Sequence, residues 1–289
     1  MTQIIAVISH NFITVVSDRR LSYVNPDGSF IGIKTDNECK LVALCEHSCI
    51  AYTGLAKLGG FPTHEWITRT LSNRRCIDAW HAAKILTEEC EALLENKNES
   101  YRHMTFLITG YRYINKSLTP YSLRISNSYT DDDAWKTEAS NSFRSKLYYL
   151  KPDEFSESVV IGIPLKRKQN RRLKRYLRKS TIERSLPQAT LKFLSDEIIT
   201  SSRLGNRMVG KKILGVSIPK QQIIETQRTG NVFISHHIPN NNRATFTYYD
   251  EGSDGLKIYG PSFVCGDSAI SQFSGTTNDK VVSATVKII

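Results

Sequence analysis

The second residue of the chain combines a reactive side chain with a position at the N-terminus. The sequence begins "MTQIIAVISHNFITVVSDRRLSY", so removal of Met1 would leave Thr2 with a free α-amine. Such a threonine supplies both a nucleophile and a base, because its hydroxyl attacks a carbonyl carbon while its α-amine, with a pKa of about 8, takes the proton. A lysine ammonium nearby would lower both pKa values, and a carboxylate would hold that lysine charged. Thr2 is small enough for methionine aminopeptidase, so we expect that no propeptide is needed.

Four further candidates lie at the ends of strands predicted near the N-terminus. Apolar runs and turn residues predict two hairpins, whose strands are Ile4–Ser9, Phe12–Ser17, Lys40–Leu44 and Cys49–Thr53. Asp18 and Arg20 follow the first hairpin, Lys40 opens the second, and Gly54 ends it. A polar loop from Tyr23 to Asn37 is predicted between the two hairpins.

The rest of the chain predicts two helices and then one or two more, among further strands. Apolar residues at helical spacing predict helices from about Thr63 to Leu71, from near Asp78, over the basic segment described below, and from about Gln188 to Arg203. Strands are predicted before, between and after them, as far as the closing "VVSATVKII". This order predicts an α+β fold with two sheets stacked between helical layers, in one domain over residues 1–289 with an extended tail after about residue 231.

The composition favours a cytoplasmic protein that needs no metal or other cofactor. In its 289 residues there is neither a membrane-length apolar run nor a signal-peptide pattern. The six cysteines include no C-x-x-C pair and no zinc spacing, which favours buried, reduced thiols.

The positive charge is concentrated in one segment, "KRKQNRRLKRYLRK" from Lys166 to Lys179. Without its nine cations the formal charge of +11 falls to +2, so the rest of the chain is nearly neutral. A solvated helix, or an insertion that contacts an acidic partner or a neighbouring subunit, is the favoured interpretation. A nucleic-acid site is the weaker one, because the segment holds only one aromatic residue, Tyr176.

Thr2, Asp18, Arg20, Lys40 and Gly54 together resemble the catalytic framework of proteasome β-subunits and HslV-like peptidases, which are N-terminal nucleophile (Ntn) hydrolases. In that family an N-terminal threonine begins a strand, a D-x-R motif ends the next, and a lysine and a glycine bound the following hairpin. The spacings among the matched residues of each hairpin agree with the family, whereas the loop between Arg20 and Lys40 is longer than usual. The sequence "TGLA" at 53–56 is similar to the family's S/A-G-x-A turn. The resemblance implies a four-layer αββα sandwich and threonine-dependent hydrolysis of peptides or unfolded proteins.

The same resemblance implies a role for each matched catalytic position. Thr2 would be the nucleophile, with its α-amine as the general base. Lys40 would lower the pKa values of both, Asp18 would hold Lys40, and Arg20 would support the same network. The backbone N–H of Gly54 would stabilise the oxyanion.

Substrate binding and assembly are also implied by the resemblance. Ser22 and Ala56 would offer backbone groups to an extended substrate, and Tyr52 would lie near the floor of the pocket for the side chain before the cut bond. Relatives assemble into rings, so a homo-oligomer is expected. Any unfolding ATPase would be a separate protein.

Several alternatives remain open. Thr2 could simply begin a strand, Lys40 and Asp18 could be a structural ion pair, and Arg19 is expected on a solvated face. The second half departs from the family pattern, since Ile163 stands where the family has a serine, and "SRLGNRMVGKK" contains no aspartate. These departures favour a catalytically silent structural or regulatory subunit. A small-molecule amidohydrolase is the third hypothesis.

Overall fold

Two fully buried strands, β1 (Gln3–Ser9) and β2 (Phe12–Asp18), form the hairpin at the centre of the smaller main sheet. Their isoleucine- and valine-rich sequences suit strands that are covered on both faces. The computed structural model describes residues 2–25, 29–44, 48–76, 78–96, 102–130, 136, 138–178, 187–220, 247–251, 257–260, 262–265, 268–278 and 281–288.

The described residues form eighteen strands and four helices. After β1 and β2 come β3 (Leu21–Val24), β4 (Phe30–Thr35), β5 (Leu41–Leu44), β6 (Ser48–Gly54), β7 (Lys57–Leu58), β8 (Phe61–Pro62), α1 (Thr63–Asn73) and α2 (Ala79–Leu94). The middle of the chain contains β9 (Met104–Ile114), β10 (Ser117–Ser126), β11 (Arg144–Tyr149), β12 (Ser156–Gly162), α3 (Arg167–Tyr176) and α4 (Pro187–Arg203). The last strands are β13 (Ile213–Pro219), β14 (Thr247–Glu251), β15 (Lys257–Gly260), β16 (Ser262–Cys265), β17 (Ser268–Asn278) and β18 (Val281–Ile288).

The strands form two large sheets and two small ones. The five-stranded sheet has the order β12-β1-β2-β13-β14. The nine-stranded sheet has the order β11-β10-β9-β6-β5-β16-β17-β15, and β18 pairs with β17. Pairing is antiparallel except between β16 and β5, which are parallel. The pairs β3–β4 and β7–β8 are separate two-stranded sheets.

Three clusters of buried apolar residues hold these elements together. Leu71 and Leu86 of α1 and α2 share the first cluster with Phe106 of the larger sheet. The second contains residues of both large sheets, and the third joins the smaller sheet to α3 and α4. Ile4 belongs to the second cluster and its neighbour Ile5 to the third, so both faces of β1 are buried. This burial fixes the strand that follows Thr2.

The four-layer αββα sandwich predicted from the sequence is wrong. The described chain is rich in sheet, with four helices against eighteen strands in several mostly antiparallel sheets. The sequence pattern missed β3 and β4, because most of their residues are exposed or half-buried and show no sustained apolar alternation. The segment from Tyr23 to Asn37, expected to be a loop, therefore contains a hairpin. Much of the C-terminal tail also adds strands to the sheets.

Several local predictions are confirmed. The hairpin pairs β1–β2 and β5–β6 form near the predicted positions. The helix predicted to start near Asp78 begins at Ala79, and Asp78 caps it, because its Oδ1 accepts the backbone N–H groups of Trp80 and His81 at 2.8 Å. No helix in the described ranges is long and apolar enough to cross a membrane.

The basic helix α3 packs on α4 through a few specific contacts. Leu173 is buried, and the ring of Tyr176 stacks on that of Phe193 with centroids 4.1 Å apart. The Arg172 guanidinium lies 2.9 Å from Oε2 of Glu197, whose side chain is only 4% exposed. Burial is the main cause that raises the pKa of Glu197, and Arg172 opposes it. Arg172 therefore differs from the other cations of α3.

Replacing Arg172 by alanine should lower the free energy of unfolding by about 1–2 kcal/mol near neutral pH, because the Glu197 carboxylate loses its cation. The matched change Lys174→Ala should have almost no effect, since Lys174 is exposed. Burial raises the pKa of Glu197 in the folded protein, so at about pH 3, well below the ordinary glutamate pKa of about 4.3, the side chain should be protonated in both states and the cost of Arg172→Ala should vanish. Urea unfolding at both pH values tests this, and equal losses in the two variants would contradict it.

Candidate active site

The carboxylate of Asp18, at the end of β2, joins three distant parts of the chain. It is fully buried and accepts four hydrogen bonds. The donors are the backbone N–H groups of Gln3 at 2.8 Å, Arg20 at 3.0 Å and Gly210 at 3.2 Å, together with Nζ of Lys40 at 3.2 Å. A buried carboxylate is stable only with such partners. Asp18 therefore fixes the start of β1, the segment before β13 and the residue before β5 in one place.

Lys40 brings a cation into this buried network. Its Nζ lies 3.2 Å from Oδ2 of Asp18 and donates to the carbonyl oxygen of Arg20 at 2.6 Å. The side chain is only 2% exposed. Burial lowers the pKa of Lys40, and the charge of Asp18 opposes that change. An ammonium has three N–H donors, and within the described residues Asp18 and Arg20 supply two acceptors.

The peptide group that follows Thr2 is held on both sides. Its carbonyl oxygen accepts the N–H of Ile163 at 2.8 Å, and its N–H, which belongs to Gln3, donates to Asp18. The Gln3 side chain adds a bond from Nε2 to the carbonyl of Ile163 at 3.1 Å. Thr2 itself is 5% exposed. Asp18 thus contacts both the backbone next to Thr2 and the ammonium of Lys40.

Gly162, at the end of β12, lies directly against Thr2. Its φ of 78° is in the left-handed region, and a Cβ atom there would lie 1.9 Å from the carbonyl oxygen of Thr2. The same position is 3.3 Å from Oγ1 of Thr53, and the N–H of Gly162 donates to the hydroxyl of Tyr129 at 3.3 Å. Gly162 and Tyr129 were not predicted as site residues. The glycine at the end of the "VVIGIP" strand was the available signal.

Arg20 contributes to the site through its backbone, while its guanidinium binds elsewhere. Nε and Nη2 donate to the two oxygens of Asp36 at 2.7 and 3.0 Å, and this pairing is the main cause that raises the pKa of Arg20 and lowers that of Asp36. Nη1 donates to the carbonyl of Val209 at 3.3 Å. Arg20 therefore anchors the segment that presents Gly210 to Asp18. Asp36 was missed because the hairpin of β3 and β4 was expected to be a loop.

Arg19 also differs from its prediction, since it is not on a solvated face. Its side chain is 2% exposed and donates to the carbonyl groups of Asn37 and Glu38. These bonds hold the segment that leads to Lys40.

Gly54 ends β6, one residue after Thr53, in a backbone conformation that requires glycine. Its φ is 124°, and a Cβ atom would lie 2.2 Å from the carbonyl oxygen of His103. Gly54 is exposed, unlike the residues before it in β6. Because Thr53 contacts the position of Gly162, the structure places Gly54 beside the residues that surround Thr2.

The three predicted substrate-binding residues have different surroundings, and Tyr52 is joined to Lys40, whose carbonyl accepts its N–H at 3.2 Å. Tyr52 is buried in the cluster shared with α1 and α2, and its hydroxyl donates to the carbonyl of Cys39 at 2.6 Å. Ser22 lies in β3, where its buried hydroxyl has no hydrogen-bond partner among the described residues. The carbonyl of Ala56 accepts the N–H of Thr63 at 3.0 Å.

The comparisons with known proteins give structural similarity alone. No protein-family model and no curated protein matches the chain. Among solved structures, it is similar to an Anbu (Gly-1) mutant from Hyphomicrobium sp. strain MC1, with 13% identity, 76% of this chain and 82% of that one covered, and a TM-score of 0.46. It is also similar to Anbu (ancestral β-subunit) from Yersinia bercovieri, with 15% identity, coverage of 75% and 82%, and a TM-score of 0.46.

The membership in the proteasome β-subunit and HslV-like peptidase family that the motif predicted is therefore wrong. No family model supports it, and the two Anbu structures fit only loosely. The five matched positions all lie within the first 54 residues, where the hairpins β1–β2 and β5–β6 produce the spacing. In the second half of the chain, Ile163 stands where the family has a serine. Its backbone N–H and carbonyl bind Thr2 and Gln3, but it has no hydroxyl to contribute.

Proposed function

We propose that the protein hydrolyses amide bonds, with Thr2 as the nucleophile once Thr2 is the free amino terminus. The supporting observation is that Asp18 binds both the N–H that follows Thr2 and the ammonium of Lys40. The Thr2 oxygen would attack the amide carbon while its proton moves to the α-amine, which then protonates the departing amine. Water would attack the resulting ester in the same way, releasing the acid and restoring Thr2.

Lys40 acts in this proposal as a fixed positive charge. At an effective dielectric of about 20, a charge about 4 Å from a titrating group is worth roughly 4 kcal/mol before screening. This charge repels the protonated form of the amine and attracts the negative charge that develops on the hydroxyl, so it lowers the pKa of both groups. Asp18 keeps Lys40 charged against the burial that lowers the pKa of its ammonium. Arg20 is a positioning residue, since its guanidinium holds the segment around Val209.

The substrate in this proposal is a peptide or an unfolded protein. The N–H of Gly54 would bind the oxyanion, and the backbone of Ser22 would pair with an extended substrate. Ala56 would contribute its N–H, because its carbonyl already accepts from Thr63. Tyr52 would support the pocket from the core. A cytoplasmic homo-oligomer, with a separate ATPase or acidic partner at α3, completes the proposal, and light scattering of the purified protein tests the oligomer.

Intact-mass measurement after treatment with a threonine-directed electrophile tests the nucleophile. Protein lacking Met1 should gain the mass of one adduct, and peptide mapping should place it on Thr2. Thr2→Ala, checked for folding by circular dichroism, should gain none. Folded protein that lacks Met1 and stays unmodified would contradict the proposal, as would equal labelling of the alanine variant.

A catalytically silent structural subunit is the second candidate, and one observation favours it. Ile163 donates its backbone N–H to the carbonyl of Thr2, and its side chain belongs to the third apolar cluster. No hydroxyl from that position can orient the threonine amine. Quantitative retention of Met1 on natively produced protein would support this candidate, because a blocked amine cannot act as the base.

A further inference from the structure

Five exposed cations of α3 form a basic face that the described part of the chain does not neutralise. The basic face consists of Arg167, Lys168, Arg171, Lys174 and Arg175. Among the described residues none of these five side chains has an ion pair or a hydrogen bond, whereas Arg172 pairs with Glu197. At about 100° per residue, the five positions lie within about 120° of the helix circumference. The opposite side of α3 packs on α4.

The basic face destabilises the helix that carries it. Arg167, Arg171 and Arg175 are successively four residues apart, and like charges at that spacing destabilise a helix. The first turn of α3 contains no acidic residue, so Arg167 and Lys168 also oppose the positive end of the helix dipole. Residues 166–212 contain fifteen lysines and arginines and only three acids, so the surrounding sequence offers little compensation. An anion bound along α3 would therefore remove an existing repulsion.

Contacts with α4 in successive turns hold the basic face in place. Nε2 of Gln169 donates to the carbonyl of Glu197 at 2.6 Å. One turn later Leu173 is buried in the third apolar cluster, and one turn after that the ring of Tyr176 stacks on Phe193. Because α3 is fixed along its length, the exposed cations present a defined pattern to a ligand that lies along the helix.

The same packing disfavours a nucleic acid or a membrane as that ligand. Tyr176 is the only aromatic residue of α3, and its ring stacks on Phe193, so the basic face offers no ring on which a base would stack. The major groove of DNA, about 12 Å wide, admits a single helix, whereas α3 lies against α4. The apolar side of α3 is packed in the third cluster, so it cannot insert into a lipid surface.

We infer that the basic face binds an acidic helix of a partner protein. Arg167, Arg171 and Lys174 are four and then three residues apart. Lys168, Arg171 and Arg175 are three and then four residues apart, so each row follows one side of a helix. A second helix along α3 has the same rise of about 5.4 Å per turn, so carboxylates at the same spacings would meet these rows. The arginines can each bind a carboxylate through two N–H groups.

The inference rests on the acidic partner proposed for α3 and names its chemistry, and it does not depend on Thr2. Fluorescence anisotropy with the full-length protein tests it. The probes are three peptides held helical by the same hydrocarbon staple. The first has glutamates at alternating spacings of four and three residues, the second has the same number of glutamates distributed around the helix, and the third has glutamine in their place. The first should bind with a Kd about tenfold lower than the second, because several aligned ion pairs form together.

Matched variants separate the basic face from general attraction to a basic protein. Arg171→Gln/Lys174→Gln should weaken binding of the first peptide to the level of the second, and glutamine preserves the helix propensity of α3. Lys84→Gln/Lys116→Gln removes two exposed lysines from α2 and from the turn between β9 and β10, and it should bind the first peptide as the wild type does. An equal loss in the two variants would overturn the inference.

The remaining outcomes distinguish the inference from the proposals on which it builds. Equal affinity for the two glutamate peptides would overturn the acidic helix and leave a general acidic partner. Equal affinity for all three peptides would overturn the acidic partner as well. Tighter binding of a DNA or RNA oligonucleotide with the same charge would overturn the inference in favour of a nucleic acid. Electrophile labelling of Thr2 should be the same in Arg171→Gln/Lys174→Gln and the wild type, so the nucleophile is judged separately.

Discussion

Replacing Lys40 by methionine should reduce amide hydrolysis by a factor of about 100 or more. Methionine keeps the length of the side chain and removes the charge that would stabilise the deprotonated nucleophile. A charge about 4 Å away should shift the pKa of the amine and of the hydroxyl by about one to two units each. Losing that shift from both groups accounts for a fall in turnover of about 100-fold or more. The measurement is turnover of a fluorogenic peptide series by the wild type, Lys40→Met and Thr2→Ala.

Two controls show whether the charge itself is responsible. Lys40→Arg should not restore activity, because the planar guanidinium is too large to place a compact charge at the same point. Lys212→Met removes a lysine whose Nζ donates to Oδ1 of Asn37 and not to Asp18. This variant should leave turnover unchanged. Folding should survive in Lys40→Met, since Asp18 keeps three backbone N–H donors. Equal turnover in Lys40→Met and the wild type would show that the ion pair is purely structural.

Local patterns explain the parts of the fold that were predictable. The hairpins around Thr2 and Lys40 rest on apolar runs and turn residues that are close in sequence, and α2 on helical periodicity and the cap of Asp78. The sequence positions of Asp18 and Lys40 predicted an ion pair, and in the structure Nζ of Lys40 lies 3.2 Å from Oδ2 of Asp18. Each of these features depends mainly on neighbouring residues.

The features that were missed depend on contacts between distant segments. β16 pairs with β5 although most of the chain lies between them, and nothing in either strand specifies that partner. The hairpin of β3 and β4 shows no sustained apolar alternation, so the pair of Arg20 with Asp36 was hidden. Arg19 was expected at the surface from its residue type, but its guanidinium donates to the carbonyl groups of Asn37 and Glu38. Such partners follow from the tertiary structure and not from residue type.

Replacing Gly162 by alanine should strongly lower the free energy of unfolding. Two causes add here, a φ of 78° that disfavours a side chain and a Cβ atom 1.9 Å from the carbonyl oxygen of Thr2. The left-handed conformation alone costs about 1–2 kcal/mol. The overlap is with backbone that the N–H of Ile163 holds, so relief requires β1 and β12 to separate. We expect a total cost of about 3 kcal/mol or more.

Gly60→Ala is the matched control, because it measures the cost of the left-handed backbone conformation without a contact to Thr2. Gly60 has a similar φ of 86°, and apart from its chain neighbours a Cβ atom added to it would meet no atom of the described residues within 4 Å, so its variant should lose only the roughly 1–2 kcal/mol of the left-handed conformation. Urea unfolding of both variants gives the difference, and electrophile labelling gives a second readout. Since Gly162 sets the position of the Thr2 carbonyl, labelling of Thr2 should fall in Gly162→Ala and stay unchanged in Gly60→Ala. Equal stability losses with equal labelling would mean that the close approach of β12 does not position Thr2.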